Sequence, residues 1–161
     1  MAGFYVYNNV GIAFRCFATG VLFGFGSVFF LVYNGLNIGT VFGYVESLGH
    51  GRNLFTFVSG HSAFELGAVI IAGAAGLRLG YSLLDTEGKD RLSSLRAAGK
   101  PAITLVLGAA CMLLIAAGVE GFWSPSSVKD EVKWAVGVAN ALLLLAFFRH
   151  AGRARPEERP S

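Results

Sequence analysis

Three ionisable side chains, His61, Glu65 and Glu120, lie inside segments that are otherwise apolar. His61 and Glu65 are four residues apart, a spacing that puts both on one face of a helix. An ionisable group at membrane depth is costly, which makes it a candidate for a functional role. A histidine beside a carboxylate could carry protons or a cation, because the charge of an imidazole changes near neutral pH.

A helical wheel separates the polar residues of the segment over residues 57–80. At about 100° per residue from Glu65, His61 falls at about −40°, and the small residues fall between about −60° and +60°; they are Ala68, Ala72, Gly76 and Gly80. Membrane helices pack closely through such small residues, so we expect His61 and Glu65 to point into a helix bundle. Arg78 falls on the other side at about 220°, near a helix end, where it can snorkel to the headgroups.

Glu120 is predicted to lie at the depth of this pair. The end of the second span and the start of the third lie on the same side of the membrane. At about 1.5 Å per residue, Glu65 lies roughly 28 Å from that end of the second span, and Glu120 lies roughly 27 Å from the start of the third. Asn34 and Asn37 join the layer if their segment enters from that side. We favour a layer that locks the packing over one that moves ions or binds metal. Zinc would need a third and a fourth ligand, and HxxxE is not the HExxH of metalloproteases.

No complete catalytic set accompanies these residues. Ser59 and Ser62 flank His61 in sequence, but such neighbours point in different directions on a helix. The chain has no GxSxG elbow, and its glycines follow no predicted strand. We therefore predict a protein that is not an enzyme and that has no catalytic residue, no cofactor and no bound metal.

The elements that must position these side chains are membrane helices. The chain has 161 residues, of which 54% are hydrophobic and 14% charged, a composition too apolar for an ordinary soluble domain. Apolar runs of about 18 residues or more predict spanning helices, and four occur, over residues 10–33, 57–84, 102–123 and 132–148. The first is too long for a cleaved signal peptide. Cys16 and Cys111 lie inside these runs and are interpreted as small hydrophobic residues.

Residues 34–49 are apolar but too few to cross a membrane comfortably. Gly35, Gly39 and Gly43 recur every four residues and form a strip that a neighbouring backbone can approach closely. We predict a short re-entrant or half-spanning helix here, and an interfacial amphipathic helix is the alternative. Three glycines of the second span are also predicted to pack helices together, namely Gly73, Gly76 and Gly80.

Basic residues concentrate in two segments of the chain. Two predicted spans separate these segments, so both lie on the same side of the membrane. The basic residues lie between the second and third spans, at positions 89, 91, 96 and 100, and after the fourth span, at positions 149, 153, 155 and 159. An excess of Lys and Arg in short loops marks the cytoplasmic side. We expect one transmembrane helical domain over residues 1–151 and a disordered, charged cytoplasmic tail over residues 152–161. The chain lacks the basic groove that would indicate nucleic-acid binding.

Four motifs together resemble the stage II sporulation protein M family of bacterial membrane proteins. They are YNN at residues 7–9, YNGLNIG at 33–39, GHSAFELGAVIIAGAAGLRLG at 60–80 and AAGVEGFWSP at 116–125. The residues that match the family pattern are Asn34, Gly35, His61, Glu65, Gly73, Gly76, Leu77, Gly80 and Glu120. Members of the family usually have an upstream cytoplasmic region and a further membrane helix before the YNN block. This chain starts almost at that block, so it is a fragment, a short natural version, or one chain of an assembly. The orientation of its first helix stays open.

The resemblance implies a polytopic protein of the bacterial cytoplasmic membrane. The namesake is a non-enzymatic scaffold that holds peptidoglycan-degrading partners at the engulfing membrane of sporulating bacteria. We therefore expect an all-α integral membrane protein of about four transmembrane helices plus one short re-entrant helix, acting as a scaffold or assembly subunit. Its expected partners are the lipid bilayer, other membrane or envelope proteins, and further copies of itself. The alternative is a transporter or channel component that uses the His61, Glu65 and Glu120 layer.

Overall fold

The structure, a computed structural model, describes residues 2–151, and its regular elements there are all helical. The six α-helices are α1 Ala2–Ala18, α2 Phe25–Ser47, α3 Gly51–Ser59, α4 Ser62–Leu84, α5 Arg91–Gly118 and α6 Asp130–Ala151. The all-α class is confirmed. The tail predicted over residues 152–161 lies outside the described residues.

Four of the described helices are long and apolar enough to cross a membrane: α2, α4, α6, and α5 together with the turn that follows it. This number is the predicted one, but the first span lies elsewhere along the chain. Residues 10–33 do not form one helix, because α1 ends at Ala18 and α2 begins at Phe25. Residues 34–49 are not a separate re-entrant helix either, since α2 runs through them to Ser47.

A tight reversal separates α1 from α2. A 3₁₀ turn over Thr19–Val21 is followed by two residues with positive φ, Phe23 at 54° and Gly24 at 84°. Glycine adopts such angles without the clash that a Cβ causes. The Ser27 hydroxyl donates to the carbonyl of Cys16 across the reversal at 2.6 Å. The reversal is itself apolar in sequence, and this explains why hydrophobicity did not reveal it.

Helix α4 lies at the centre of the bundle, with α1, α2, α5 and α6 packed around it. Its small residues are fully buried at Ala68, Ala72 and Ala75. Helix α1 runs parallel to α4, because Asn9 reaches Glu65 near one end and the Cys16 and Phe17 carbonyls lie beside Gly76 towards the other. The predicted inward face of α4 is therefore the packed face, while Arg78 is exposed.

The carboxyl end of α5 changes from α-helix to a π-helical turn over Val119–Trp123. Such turns are rare and often mark functional sites in helices. At the same end of the bundle, α3 packs against the start of α6. Arg52 pairs with Asp130 at 3.2 Å, and the Trp134 indole donates to the Thr56 hydroxyl at 3.0 Å. These contacts fix the loop between α5 and α6 beside the amino end of α4.

Candidate functional site

The structure brings His61, Glu65 and Glu120 together at one end of the bundle. One ligand atom from each lies within 4.8 Å of those of the other two. His61 immediately precedes α4, Glu65 is in the first turn of α4, and Glu120 is in the π-helical turn. His61 is only 2% exposed and Glu120 only 8%. We call these three residues the carboxylate–histidine cluster.

The two ring nitrogens of His61 face different partners. Nδ1 lies 3.1 Å from the hydroxyl of Ser124, which is itself buried. Nε2 points the other way and lies 3.9 Å from Oε2 of Glu65. The ring of Phe57 meets the imidazole edge-on at 5.8 Å between centroids. The imidazole is thus held in one orientation, with Nε2 directed at Glu65.

Glu65 is held from the opposite side by α1. The Asn9 side-chain amide donates a hydrogen bond to Oε1 of Glu65, across 56 positions of sequence. Oε2 is left to face His61. Sequence reasoning missed Asn9, although it lies in the YNN motif, because the first span was predicted to begin after it.

Glu120 has an unsatisfied oxygen in a buried position. Its Oε2 atom has no hydrogen-bond partner, and the Trp123 indole nitrogen three residues later lacks one too. Buried polar atoms are satisfied in the great majority of cases, so each exception requires an explanation. Among the described residues neither Glu65 nor Glu120 forms an ion pair with a lysine or arginine. Within residues 2–151, the two carboxylates therefore share a largely buried site in which His61 is the basic side chain beside Glu65 and no lysine or arginine is paired with either acid.

Lys133 on α6 supports the loop that carries Ser124. The lysine is 6% exposed, and its ammonium donates to the carbonyls of Ser124 and Ser126 at 2.7 and 2.8 Å. Nearby, the Asn140 amide donates to the carbonyl of Gly60 at 2.8 Å. Neither Lys133 nor Asn140 was predicted from the sequence to support the site. The only available signal was that Lys133 and Asn140 are polar residues within or beside a predicted span.

Asn34 and Asn37 lie beside a cavity rather than in the cluster. The cavity has a volume of about 440 Å³ between α1, α2 and α4, and both asparagines line it together with Asn9, Arg15 and Glu65. The Asn37 amide donates to the carbonyl of Tyr33 on its own helix at 2.7 Å. Glu65 is the residue that the cavity and the cluster share.

The six glycines predicted to pack helices fall into two groups. A Cβ at Gly73 would meet the side chain of Leu31, and Cβ atoms at Gly76 and Gly80 would overlap the backbone of α1 and of the reversal. By contrast, Gly35, Gly39 and Gly43 on α2 have open space around them within the described chain. We call this second group the open glycine strip.

Comparison with known proteins agrees with the motifs. A family model described as Stage II sporulation protein M matches residues 1–125. The chain is also 28% identical over 123 residues to an uncharacterized protein of Methanocaldococcus jannaschii, covering 73% of this chain and 67% of that protein. No solved structure matches the chain significantly. The resemblance stated from the sequence is confirmed.

Proposed function

The chain belongs to the Stage II sporulation protein M family, and on this premise we propose that it is a non-enzymatic scaffold or assembly subunit. It is a multi-pass membrane protein, since four of its described helices have the length and apolarity of membrane spans. Its role would be to bind other membrane or envelope proteins through its helices. The family's namesake is a scaffold of this kind.

The open glycine strip is the observation that supports this proposal. No residue in the most apolar window of α2 is buried within the chain, although the other three spans each have buried residues there. Gly35, Gly39 and Gly43 are exposed along one face of that helix. Small residues at four-residue spacing let another helix approach closely, and close approach drives helix association in a bilayer. A partner helix, from another protein or a second copy, would fit on this face.

The test replaces a glycine of the open glycine strip with a large residue and measures assembly. Gly39→Leu should leave the fold intact, because nothing lies within 4 Å of a Cβ there. It should reduce the cross-linking of α2 to partner helices in native membranes by at least roughly tenfold, since side-chain bulk prevents close helix contact. Size measurement of the purified complex then separates a second copy from a different protein.

Gly108→Leu on α5 is the matched control, because Gly108 is also exposed, lies in a spanning helix and has open space around it. The scaffold proposal requires that this control keeps its cross-links while Gly39→Leu loses them. Equal cross-linking in wild type and in both variants would contradict the proposal.

We also propose that the protein lies in a bacterial inner membrane with its carboxyl terminus in the cytoplasm. The end of the bundle formed by the α4–α5 loop and the end of α6 carries Lys89, Arg91, Arg96 and Arg149. Basic residues of short loops favour the cytoplasm. In a chain with Cys16 and Cys111 replaced by alanine, a membrane-impermeant thiol reagent applied to intact cells should label Ser127→Cys but not Glu87→Cys. The reverse pattern would refute this orientation.

A second candidate function is cation or proton movement, which the cavity favours. Glu65 is both part of the buried cluster and exposed to the cavity, so it connects the two. Ionisable residues that face the interior of a membrane helix bundle, or a water-filled cavity in it, mark ion pathways in transporters. In proteoliposomes, Glu65→Gln should then abolish a flux that wild type supports. Absence of flux in wild type would leave the scaffold role alone.

A further inference from the structure

We propose that His61, Glu65 and Glu120 form a binding site for a divalent first-row transition cation such as Zn²⁺. The proposal concerns the carboxylate–histidine cluster and does not depend on the open glycine strip, which lies on a different helix.

The donor atoms are those that such cations prefer. The cluster offers one imidazole nitrogen and two carboxylate oxygens, all within 4.8 Å of one another, and a water molecule would supply the fourth ligand, as in zinc sites with three protein ligands. Tetrahedral ligands at about 2.1 Å from a zinc ion lie about 3.4 Å apart, so rotations of two flexible glutamate side chains close the remaining difference. Mg²⁺ and Ca²⁺ favour sites built from oxygen alone, whereas imidazole selects transition metals. The mixed set therefore favours a transition cation.

The charge of the site also favours a bound cation. Two carboxylates close together in a largely buried site repel each other strongly unless a positive charge or a shared proton is present. The described residues provide no lysine or arginine paired with either glutamate. The unsatisfied Oε2 of Glu120, in a residue only 8% exposed, is a buried acceptor that a metal ion would satisfy.

The surrounding residues orient the ligands as they do around metal ions. A metal-binding histidine typically has its second ring nitrogen hydrogen-bonded, which fixes the ring and its tautomer. Ser124 does this for Nδ1 of His61, so Nε2 is left for the metal. Asn9 similarly holds Oε1 of Glu65 and leaves Oε2 directed at the cluster. The site is therefore prepared by residues of α1 and of the α5–α6 loop.

The test measures metal binding to the full chain in detergent or nanodiscs. After chelation and dialysis against Zn²⁺, wild type should retain one ion per chain, and excess Mg²⁺ should not displace it. Glu120→Gln and His61→Ala should weaken this binding at least tenfold. Their matched controls, Glu131→Gln and His50→Ala, alter exposed residues of the same types and should bind as wild type does.

A second measurement keeps the proposal testable if the cluster variants fold poorly. Co²⁺ added to wild type should give the visible absorption of nitrogen and oxygen ligation, and Zn²⁺ should abolish it. The proposal is overturned if wild type retains no ion, or if the cluster variants bind as tightly as their controls. It is also overturned if infrared spectra show a protonated carboxylic acid that persists with Zn²⁺ and disappears in Glu120→Gln, because a shared proton would then occupy the site. None of these results bears on cross-linking at Gly39.

Discussion

Nδ1 of His61 lies 3.1 Å from the Ser124 hydroxyl, although the two residues are 63 positions apart and belong to different elements. This contact occupies Nδ1 and leaves Nε2 to face Glu65. Without it, the imidazole could turn and present either nitrogen.

We predict that Ser124→Ala weakens Zn²⁺ binding by roughly 10- to 100-fold, the usual effect of losing a partner behind a metal ligand. All three ligands remain in this variant, so the loss would arise from orientation alone. Competition with a chromophoric chelator measures the affinity. Ser126→Ala is the control, since the Ser126 hydroxyl bonds to the Trp123 carbonyl and not to His61. An equal loss in both variants would show that the loop, rather than the imidazole contact, is responsible.

Gly76→Ala should destabilise the bundle by about 1–3 kcal/mol or more, as overpacking of a close contact does. A Cβ at Gly76 would lie 2.6 Å from the Cys16 carbonyl oxygen and 2.8 Å from that of Phe17, and backbone atoms cannot move aside cheaply. Thermal unfolding in detergent measures the effect. Gly108→Ala has open space and should unfold at or above the wild-type temperature, because alanine favours helix over glycine. Similar destabilisation of both variants would argue against tight packing at Gly76.

Lys133→Met should destabilise the protein by about 1–3 kcal/mol, because it leaves two loop carbonyls without their charged donor. These carbonyls belong to Ser124 and Ser126. The loop should also become more mobile, which hydrogen exchange of residues 124–129 would detect. Lys129→Met, at an exposed position of the same loop, should change neither quantity. Unchanged exchange in Lys133→Met would mean that other contacts hold the loop.

Asp90, which lies outside the membrane spans, should make the stability of the amino end of α5 depend on pH. Its Oδ1 atom accepts from the amides of Ser93 at 3.0 Å and Leu92 at 3.1 Å and so caps α5. Hydrogen bonding to Ser93 is the main cause that holds the pKa of Asp90 below its usual 3.8. A lowered pKa means that the cap stabilises the folded state above pH 3.8 and loses this effect as the pH falls through the folded-state value.

Amide exchange at Leu92 and Ser93 should therefore accelerate in acid, beyond its intrinsic pH dependence, in wild type. Asp90→Asn keeps a capping oxygen that does not ionise in this range and should lose the additional acceleration. Identical pH profiles of wild type and Asp90→Asn would contradict an ionised cap.

Sequence reasoning predicted the helical class and the number of spans, because apolar length is a direct requirement of the bilayer. It misplaced the first span because the reversal around Phe23 and Gly24 is as apolar as the helices on either side. The sequence signal for the reversal is a series of closely spaced glycines, at positions 20, 24 and 26. As a consequence, the sequence prediction assigned the residues of α2 partly to the first span and partly to a separate short helix.

That His61, Glu65 and Glu120 lie close together was predicted from their helical spacing and their depth in the membrane, because the regular rise of a helix converts residue number into depth. The residues that orient the cluster did not follow from it. Ser124 and Lys133 depend on the path of a loop, and Asn9 depends on α1 running beside α4, which only the reversal makes possible. That the cluster functions as a site remains a prediction.

Because α4 and α5 are antiparallel, the carboxylates of Glu65 and Glu120 lie in helix-dipole fields of opposite sign. Glu65 lies in the first turn of α4, where the peptide dipoles leave a partial positive charge. Glu120 lies in the π-helical turn that ends α5, where free carbonyls leave a partial negative charge. The two acids are thus electrostatically unequal although they are chemically identical, and a cation entering the cluster would be attracted most strongly on the side of Glu120.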